Sequence, residues 1–255
     1  MTATDYDELA VDFLVRAARE FRRGGWVFTG FHWPVLAGQL AYALDGQPFS
    51  QVFEAGASTH GAGRLVPTST TDYPAYANSL GFVGDSASIL LAMARRFDRV
   101  ILDASNIDVH GRVNSSYIGS RDKPSVRLPG GGGAPDIAAQ ARELVWLSGG
   151  NDLRRIQAKV DHVTAAPGPG SLVRLHTRWG IAVLGTGAKL EEIADVRGAD
   201  EFIRHLESLG VSTDAPITRT PVRDAERDAA LSLLHAAAER GYQVARRALA
   251  ATERN

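Results

Sequence analysis

Two runs of strand-forming residues flank a helical segment near the start of the chain, and this order limits the folds that the chain can adopt. Trp26–Thr29 and Phe49–Glu54 are short apolar runs, and the helical segment between them, to Leu44, has Pro34 at its first position. A strand, a helix and a second strand in this order form a parallel pair with a right-handed crossover. We therefore predict an α/β fold with an open, mostly parallel sheet flanked by helices.

The rest of the chain continues this alternation. An amphipathic helix is predicted before the first strand, capped by Thr4 or Asp5 and ended by Gly24-Gly25. The remaining predicted helices are 85–97, 199–209 and a long C-terminal helix at 223–251, and the remaining predicted strands are 99–103, 144–147, 160–164, 172–175 and 180–184. We predict one α/β domain over residues 1–210, with a linker and the C-terminal helix in 211–255 packed on this body or on a partner.

Composition excludes several classes of protein. The 255 residues are 44% hydrophobic, which is enough to bury a full core. The 28 basic and 29 acidic side chains nearly cancel, so a nucleic-acid partner is not expected. The absence of cysteine rules out disulfides and a cysteine nucleophile. With no signal-peptide pattern and no apolar run of about 18 residues, we expect a cytoplasmic protein without a membrane span.

Glu54 is the main candidate for catalysis. It ends the predicted strand Phe49–Glu54, directly after the apolar Val52 and Phe53, and is followed at once by the small residues Ala55 and Gly56. The carboxyl ends of strands line the ligand crevice in open α/β sheets, so an acid at this position could reach a substrate. The alternative is that Glu54 caps the next turn or pairs with an arginine.

A second candidate is the glycine run Gly130–Gly133 before Ala134 and Pro135. Consecutive glycines allow backbone amides to approach a ligand closely, so this stretch could hold an oxyanion or a phosphate. It lacks the lysine and the serine or threonine of a phosphate loop and the spacing of a dinucleotide fingerprint, and a plain linker remains the alternative. No metal site is expected, because the seven histidines never fall three to five residues apart.

These motifs together resemble those of the family I CoA-transferases, and particularly the β subunits of glutaconate CoA-transferase and its relatives. The resemblance spans roughly residues 8 to 190. The residues that carry it are Thr29-Gly30, Pro34, Phe53–Gly56, Ile107-Asp108, Gly111–Ser115, Gly130–Ala134, Asp161–Thr164 and Pro167-Gly168. The chain departs from the common pattern at Ala55, where many members have a polar residue, and at Pro135 and the fourth glycine.

The resemblance implies a function and a partner. In that family the strand-end glutamate, here Glu54, attacks an acyl-CoA and forms a covalent glutamyl-CoA thioester. The glycine-rich stretch, here Gly130, Gly131, Gly132, Gly133 and Ala134, supplies backbone amides near the thioester. Coenzyme A is a substrate, no permanently bound cofactor is expected, and an α subunit is the expected partner in a heteromer that exchanges CoA between carboxylic acids.

Two other functions stay open at this stage. One is a ring-opening or thioester hydrolase on the same scaffold, since some relatives of this kind cleave CoA esters and tend to lack the strand-end glutamate. The other is a non-catalytic binding or scaffold subunit. Glu54 favours the transferase over both, and the sequence does not identify the acid that is exchanged.

Overall fold

The computed structural model of this chain describes residues 6–44, 48–214 and 221–250. Within them the helices are α1 Glu8–Ala18, α2 Trp33–Leu44, α3 Tyr73–Tyr76, α4 Ala134–Ala138, α5 Ala199–Ser208, α6 Asp224–Glu239 and α7 Gln243–Leu249. The strands are β1 Gly25–Thr29, β2 Phe49–Phe53, β3 Ala57–Thr59, β4 Leu80–Val83, β5 Arg99–Asp103, β6 Asn106–Asp108, β7 Val113–Asn114, β8 Tyr117–Gly119, β9 Pro124–Arg127, β10 Glu143–Ser148, β11 Ile156–Gln157, β12 Leu172–Thr177, β13 Gly180–Leu184 and β14 Lys189–Ile193.

The chain forms two compact units. The first unit contains the chain up to Ile89 and again from Val222, and the second runs from Leu90 to Pro221. The C-terminal helices α6 and α7 thus belong to the first unit, where α6 packs against α1 and α2. The boundary that the sequence suggests at residue 210 stays a prediction.

The first unit contains the strand, helix and strand order predicted from the sequence. β1 and β2 pair in parallel, with Thr29 opposite Phe53, and α2 connects them. β3 and β4 extend this part of the sheet with antiparallel pairing. Because β1 and β2 run the same way, the turns that follow them lie at one edge of the sheet.

The start of the first unit shows how local chemistry sets a helix boundary. The predicted caps Thr4 and Asp5 lie outside the described residues, and within them the Asp7 carboxylate caps α1 by accepting from the Ala10 amide at 3.3 Å. A 3-10 turn at Arg19–Arg23 follows, and the backbone then reverses at Gly24, whose φ of 66° suits glycine. The predicted stop at Gly24 is therefore confirmed.

The second unit has a parallel centre as well. β5, β10 and β12 pair in parallel, and β13 and β14 continue antiparallel at one side. Trp146 on β10 is buried and its indole N–H donates to the Gly111 carbonyl at 3.0 Å. Separate short pairings join β6 to β7 and β11, and β8 to β9. The predicted α/β class, with a mostly parallel sheet flanked by helices, is confirmed.

Three elements of the structure differ from those predicted from the sequence. Residues 160–164 form no strand, because the Val160 amide donates to the buried Asp108 carboxylate at 3.3 Å instead of to a neighbouring strand. The segment predicted as a helix from residue 85 contains a π-helical turn at Ser88–Ala92 and a 3-10 turn at Ala94–Arg96. A C-terminal helix is present, but it is divided into α6 and α7 at Gly241, whose φ is 91°.

Glu226, at the start of α6, holds an ion-pair cluster together. Its carboxylate accepts from Arg19 and Arg22 at 2.9 Å each and from the Arg223 guanidinium at 3.1 Å. Burial opposes ionisation, but hydrogen bonds from the Arg223 side chain and amide and from Arg19 outweigh it and lower the pKa of Glu226 from its ordinary 4.5 to about 2. The cluster therefore joins α6 to the end of α1.

This lowered pKa predicts acid sensitivity of the first unit. Because the folded pKa is below the unfolded value, the stabilisation is complete above pH 4.5 and is lost as the pH falls toward 2. We expect Glu226→Gln to lower the free energy of unfolding by about 3 kcal/mol at pH 7, the lower end of the cost of breaking a buried ion pair. The difference from the parent chain should shrink at pH 3.

Urea unfolding followed by circular dichroism at both pH values measures this effect. Asp224→Asn is the matched control on the same helix, because the Asp224 side chain is 97% exposed and its contact with Arg227 is 3.3 Å long. Equal losses for the two variants at pH 7, or a Glu226→Gln deficit that persists undiminished at pH 3, would refute the role assigned to Glu226.

Candidate active site

Glu54 lies where the sequence places it, in the turn that directly follows β2. The side chain is half-buried, and the Gly56 amide donates to the Phe53 carbonyl at 3.0 Å to close the turn. The Tyr73 hydroxyl donates to the Ala55 carbonyl at 3.3 Å, which fixes the backbone on the other side of Glu54. The carboxylate thus stands on a supported turn at the carboxyl end of a parallel strand.

Gly56 allows this turn to approach the chain after β4. Its φ is 110°, and the Gly84 amide donates to its carbonyl at 2.7 Å. A Cβ at Gly56 would lie 2.4 Å from the Gly84 carbonyl oxygen, closer than side chains pack. Glycine at position 56 is therefore required by a close backbone contact as well as by its positive φ.

The turn after β1 lies at the same edge of the first unit. Thr29 is opposite Phe53, so the residues that follow each of them, Gly30–His32 and Glu54, leave neighbouring strands that lie about 4.8 Å apart. One apolar cluster, which we call the turn cluster, supports both turns. It consists of Val35, Phe53, Ala57, Ala75 and Tyr76, with Phe31, Tyr73 and Leu80 packed against it.

The loop after β3 is held by the C-terminal part of the chain. Arg240 donates to the Asp72 carboxylate at 2.7 Å, and Tyr242 donates to the Pro67 carbonyl. The Asp72 carboxylate also accepts from the amide and hydroxyl of Thr68 at 2.9 Å each, and these bonds lower its pKa. Residues 57–79 are rich in glycine, threonine, serine and proline, which predicts a loop that covers the crevice or meets a partner, and this role stays a prediction.

In the second unit, the glycine run packs against other motifs that the sequence singled out. The Gly130 amide donates to the Ser115 carbonyl at 2.7 Å, and the Thr164 hydroxyl lies 2.6 Å from the Ser116 hydroxyl. A Cβ on Gly131 would lie 2.8 Å from the Thr164 methyl group. The structure thus brings together the 111–116 turn, the glycine run and Thr164, which are distant in sequence.

Two amides of the glycine run are already used within the chain. The Gly130 amide binds Ser115, and the Ala134 amide donates to the Gly131 carbonyl at 2.9 Å. Among the described residues, the Gly131 and Gly132 amides have no hydrogen-bond acceptor. If the run holds an oxyanion, these two amides are therefore its available donors.

The buried carboxylate of Asp108 holds the turn at residues 108–112 in place. Asp108 is fully buried and accepts hydrogen bonds from the amides of His110 and Arg112 at 3.0 and 3.1 Å. The Arg112 side chain donates to the same carboxylate at 2.8 Å. Asp108 therefore acts as a structural centre for the 108–112 turn, with its oxygens occupied by the chain itself.

Asp103 is a second carboxylate at the end of a strand, and it was not predicted as a functional residue from the sequence. It ends β5, and burial raises its pKa to about 7, opposed by the Ala104 amide and by Arg155. The residue as a whole nevertheless remains exposed to solvent. The signal that could have identified Asp103 is the one that identified Glu54, an acid at the end of a strand. Asp103 is not followed by a glycine, as Glu54 is at Gly56.

No group of metal-ligating side chains occurs within residues 6–44, 48–214 and 221–250. In the same segments, no helix is both long enough and apolar enough to cross a membrane.

Two curated proteins share sequence with this chain. The B subunit of 3-oxoadipate CoA-transferase from Pseudomonas knackmussii is 32% identical over 142 residues, which is 52% of this chain and 51% of the relative. The B subunit of glutaconate CoA-transferase from Acidaminococcus fermentans is 28% identical over 170 residues, or 63% and 62% of the two chains. The chain is similar to the B subunits of CoA-transferases. The resemblance inferred from the sequence motifs is therefore confirmed.

Solved structures support this CoA-transferase-like fold. The crystal structure of glutaconate CoA-transferase from Acidaminococcus fermentans matches with a TM-score of 0.72 at 21% identity, over 91% of this chain and 95% of that chain. The decarboxylase AibA/AibB matches with a TM-score of 0.73 at 23% identity, over 89% and 94%. At this level of identity the likeness establishes the CoA-transferase-like fold and not the reaction.

The sequence matches cover only part of each protein. The chain matches about half to two thirds of the length of these two CoA-transferase subunits. No protein-family model matches the chain.

Proposed function

We propose that this chain is the B-type subunit of a two-subunit acyl-CoA:carboxylate CoA-transferase in which Glu54 is the covalent nucleophile. The observation that supports this most is the position of Glu54 on a braced turn at the carboxyl end of β2. The chain has no cysteine that could take this role. The named CoA-transferase relatives favour the same reaction.

The proposed reaction uses only carboxylate and thioester chemistry. A Glu54 oxygen attacks the thioester carbon of an acyl-CoA, the carbon–sulfur bond breaks, and CoA leaves as a thiolate, so that the acyl group is joined to Glu54 in a mixed anhydride. The thiolate attacks the Glu54 carbonyl of the anhydride, which releases the first acid and leaves a glutamyl-CoA thioester. The incoming carboxylate then reverses these two steps and takes CoA.

Positioning supplies much of the rate in this scheme. A free carboxylate is a weak nucleophile toward thioesters, and holding reactants in contact can contribute on the order of 7 to 11 kcal/mol. The bonds from Gly56 to Phe53 and from Tyr73 to Ala55 restrict the Glu54 turn before substrate binds. One well-placed oxyanion donor adds about 3 to 4 kcal/mol. The Gly131 and Gly132 amides are the donors that this proposal assigns to the oxyanion.

The proposal includes an α subunit. Both curated relatives are named as B subunits, and the structural matches are to proteins named as two components or as a CoA-transferase. We therefore expect the purified chain alone to exchange no CoA, and the complex with a co-expressed CoA-transferase α subunit to do so.

A transfer assay tests the proposal. The complex is mixed with 3-oxoadipyl-CoA or glutaconyl-CoA and a panel of acceptor carboxylates, and new CoA esters are followed by liquid chromatography with mass detection. Formation of acceptor-CoA is the expected result. Release of free CoA without acceptor-CoA would support the hydrolase instead, and no reaction with any ester would support a binding or scaffold subunit.

A further inference from the structure

The turn after β1 contains an unusual residue that the proposed reaction leaves unused. His32 has a φ of 64°, and within the described segments it is the one residue other than glycine with positive φ. L-residues in this region pay a conformational cost, and they persist there when the surrounding structure fixes them, often at functional sites. Glycine would adopt the same backbone without that cost. The histidine side chain therefore needs an explanation.

Packing holds His32 in this conformation from both sides. The preceding residue, Phe31, packs against the turn cluster and lies 5.2 Å from the Tyr242 ring between centroids. The following residue, Trp33, is buried edge-on against Phe13 at 5.3 Å. His32 itself is exposed and lies 4.8 Å from the Phe31 ring. The turn is thus fixed by buried aromatic residues while its imidazole faces outward.

The same packing connects His32 to Glu54. Phe31 and Phe53 meet in the turn cluster, and each directly precedes one of the two residues. Tyr73, in the same cluster, binds the carbonyl of Ala55. Since β1 and β2 are parallel neighbours, both turns leave the sheet at the same edge. A substrate held at Glu54 is therefore within reach of the β1 turn.

The chemistry of this turn suits a carboxylate ligand. α2 begins at Trp33, directly after His32, so the positive end of the helix dipole lies at the turn. Although His32 is exposed as a residue, desolvation by its neighbours lowers the pKa of its imidazole below the ordinary value of 6.5, so at neutral pH it is an uncharged donor. An uncharged donor can orient a carboxylate while lowering its basicity less than a cation would.

We propose that His32 donates a hydrogen bond to one oxygen of the acid substrate while the other oxygen attacks the Glu54 thioester. This inference rests on the proposed function. It makes His32 a catalytic residue for both half-reactions, because the leaving acid of the first half and the incoming acid of the second occupy the same position. The class of ligand is a carboxylic acid bound through its reacting carboxylate.

The strained backbone makes a clean test possible. His32→Gly removes the imidazole and relieves the unfavourable φ, and the melting temperature of the complex serves as its folding control. His32→Asn keeps an N–H donor on a side chain that tolerates positive φ. The two variants together separate the hydrogen bond from the fold of the turn.

The experiment compares two ways of discharging the enzyme. The complex with the α subunit is charged with glutaconyl-CoA to form the Glu54–CoA thioester, freed of substrate, and then mixed with glutaconate or with hydroxylamine, which is not a carboxylate. We expect His32→Gly to slow discharge by glutaconate by about 10- to 100-fold, the loss expected for a hydrogen bond to a charged group. Discharge by hydroxylamine should stay unchanged, and His32→Asn should recover part of the rate with glutaconate.

Three other outcomes would contradict the proposal, and they show whether the role of His32 or the proposed function has failed. Unchanged discharge by glutaconate in a folded His32→Gly complex overturns the role of His32 and leaves the transferase proposal intact. Equal slowing with glutaconate and hydroxylamine also overturns it, because His32 would then act on the Glu54 turn and not on the acid. If the parent complex forms no thioester at Glu54 with glutaconyl-CoA or with any other acyl-CoA of the transfer assay, the proposed function itself fails, and this inference fails with it.

Discussion

Glu54→Gln should abolish CoA transfer by the two-subunit complex while leaving the chain folded. Glutamine has the shape of glutamate but no nucleophilic carboxylate, and the bonds that the Tyr73 hydroxyl and the Gly56 amide donate across the turn stay in place. Removal of a covalent nucleophile costs up to about 10⁶-fold in kcat, so we expect a loss of at least about 10⁴-fold. Steady-state transfer rates with purified complex measure it.

Glu54→Asp is the matched variant for this test. It keeps the carboxylate but withdraws it by one methylene group, so it should retain more activity than Glu54→Gln and less than the parent complex, because misplacement by about 1 Å costs about 100-fold. Melting temperatures of both variants serve as the folding control. Substantial transfer by a folded Glu54→Gln complex would exclude Glu54 as the nucleophile.

Gly56→Ala should cause the largest loss of stability among substitutions at this turn. Alanine adopts a φ of 110° poorly, and its Cβ would meet three backbone atoms, the Gly84 oxygen and carbon at 2.4 and 2.6 Å and the Asp85 nitrogen at 2.8 Å. Backbone atoms cannot move aside as a flexible side chain can. The two effects together should lower the free energy of unfolding by about 2 to 5 kcal/mol. Transfer activity should fall as well, because the Glu54 turn must shift.

Substitutions at two other glycines separate the cost of the positive φ from the cost of the collision with Gly84. Gly61→Ala is the matched control, because its φ is ordinary and the nearest atom to its Cβ is 3.7 Å away. Gly170→Ala isolates the conformational cost, because its φ is 77° and nothing lies within 4 Å. Chemical unfolding should give a small change for Gly61→Ala, an intermediate one for Gly170→Ala and the largest for Gly56→Ala. A Gly56→Ala protein as stable as the Gly61→Ala protein would contradict the described close approach to Gly84.

Local sequence signals predicted much of the fold. The strand, helix and strand order around Pro34 and the stop at Gly24 depend on propensities of neighbouring residues, and both agree with the structure. The position of Glu54 directly after β2 was also predicted correctly, because a carboxylate after apolar residues marks the end of a strand. The sequence-based resemblance to CoA-transferase subunits depended on motifs of this local kind.

The features that the sequence did not predict depend on contacts between distant residues. Residues 160–164 read as a strand, but the Val160 amide binds Asp108, which is 52 residues away. Glycine is needed at position 56 because a Cβ there would collide with the backbone of Gly84, which directly follows β4. The raised pKa of Asp103 and the fixed backbone of His32 likewise arise from packing, which periodicity and propensity do not encode.

Peptide mass spectrometry of the complex, after incubation with an acyl-CoA and trapping with hydroxylamine or borohydride, tests directly whether Glu54 is the covalent nucleophile. We expect a modified Glu54 side chain, as a hydroxamate or as the reduced alcohol, and this modification should be missing from the Glu54→Gln complex. CoA transfer that proceeds while Glu54 stays unmodified, or a modification found on another carboxylate, would contradict this role of Glu54.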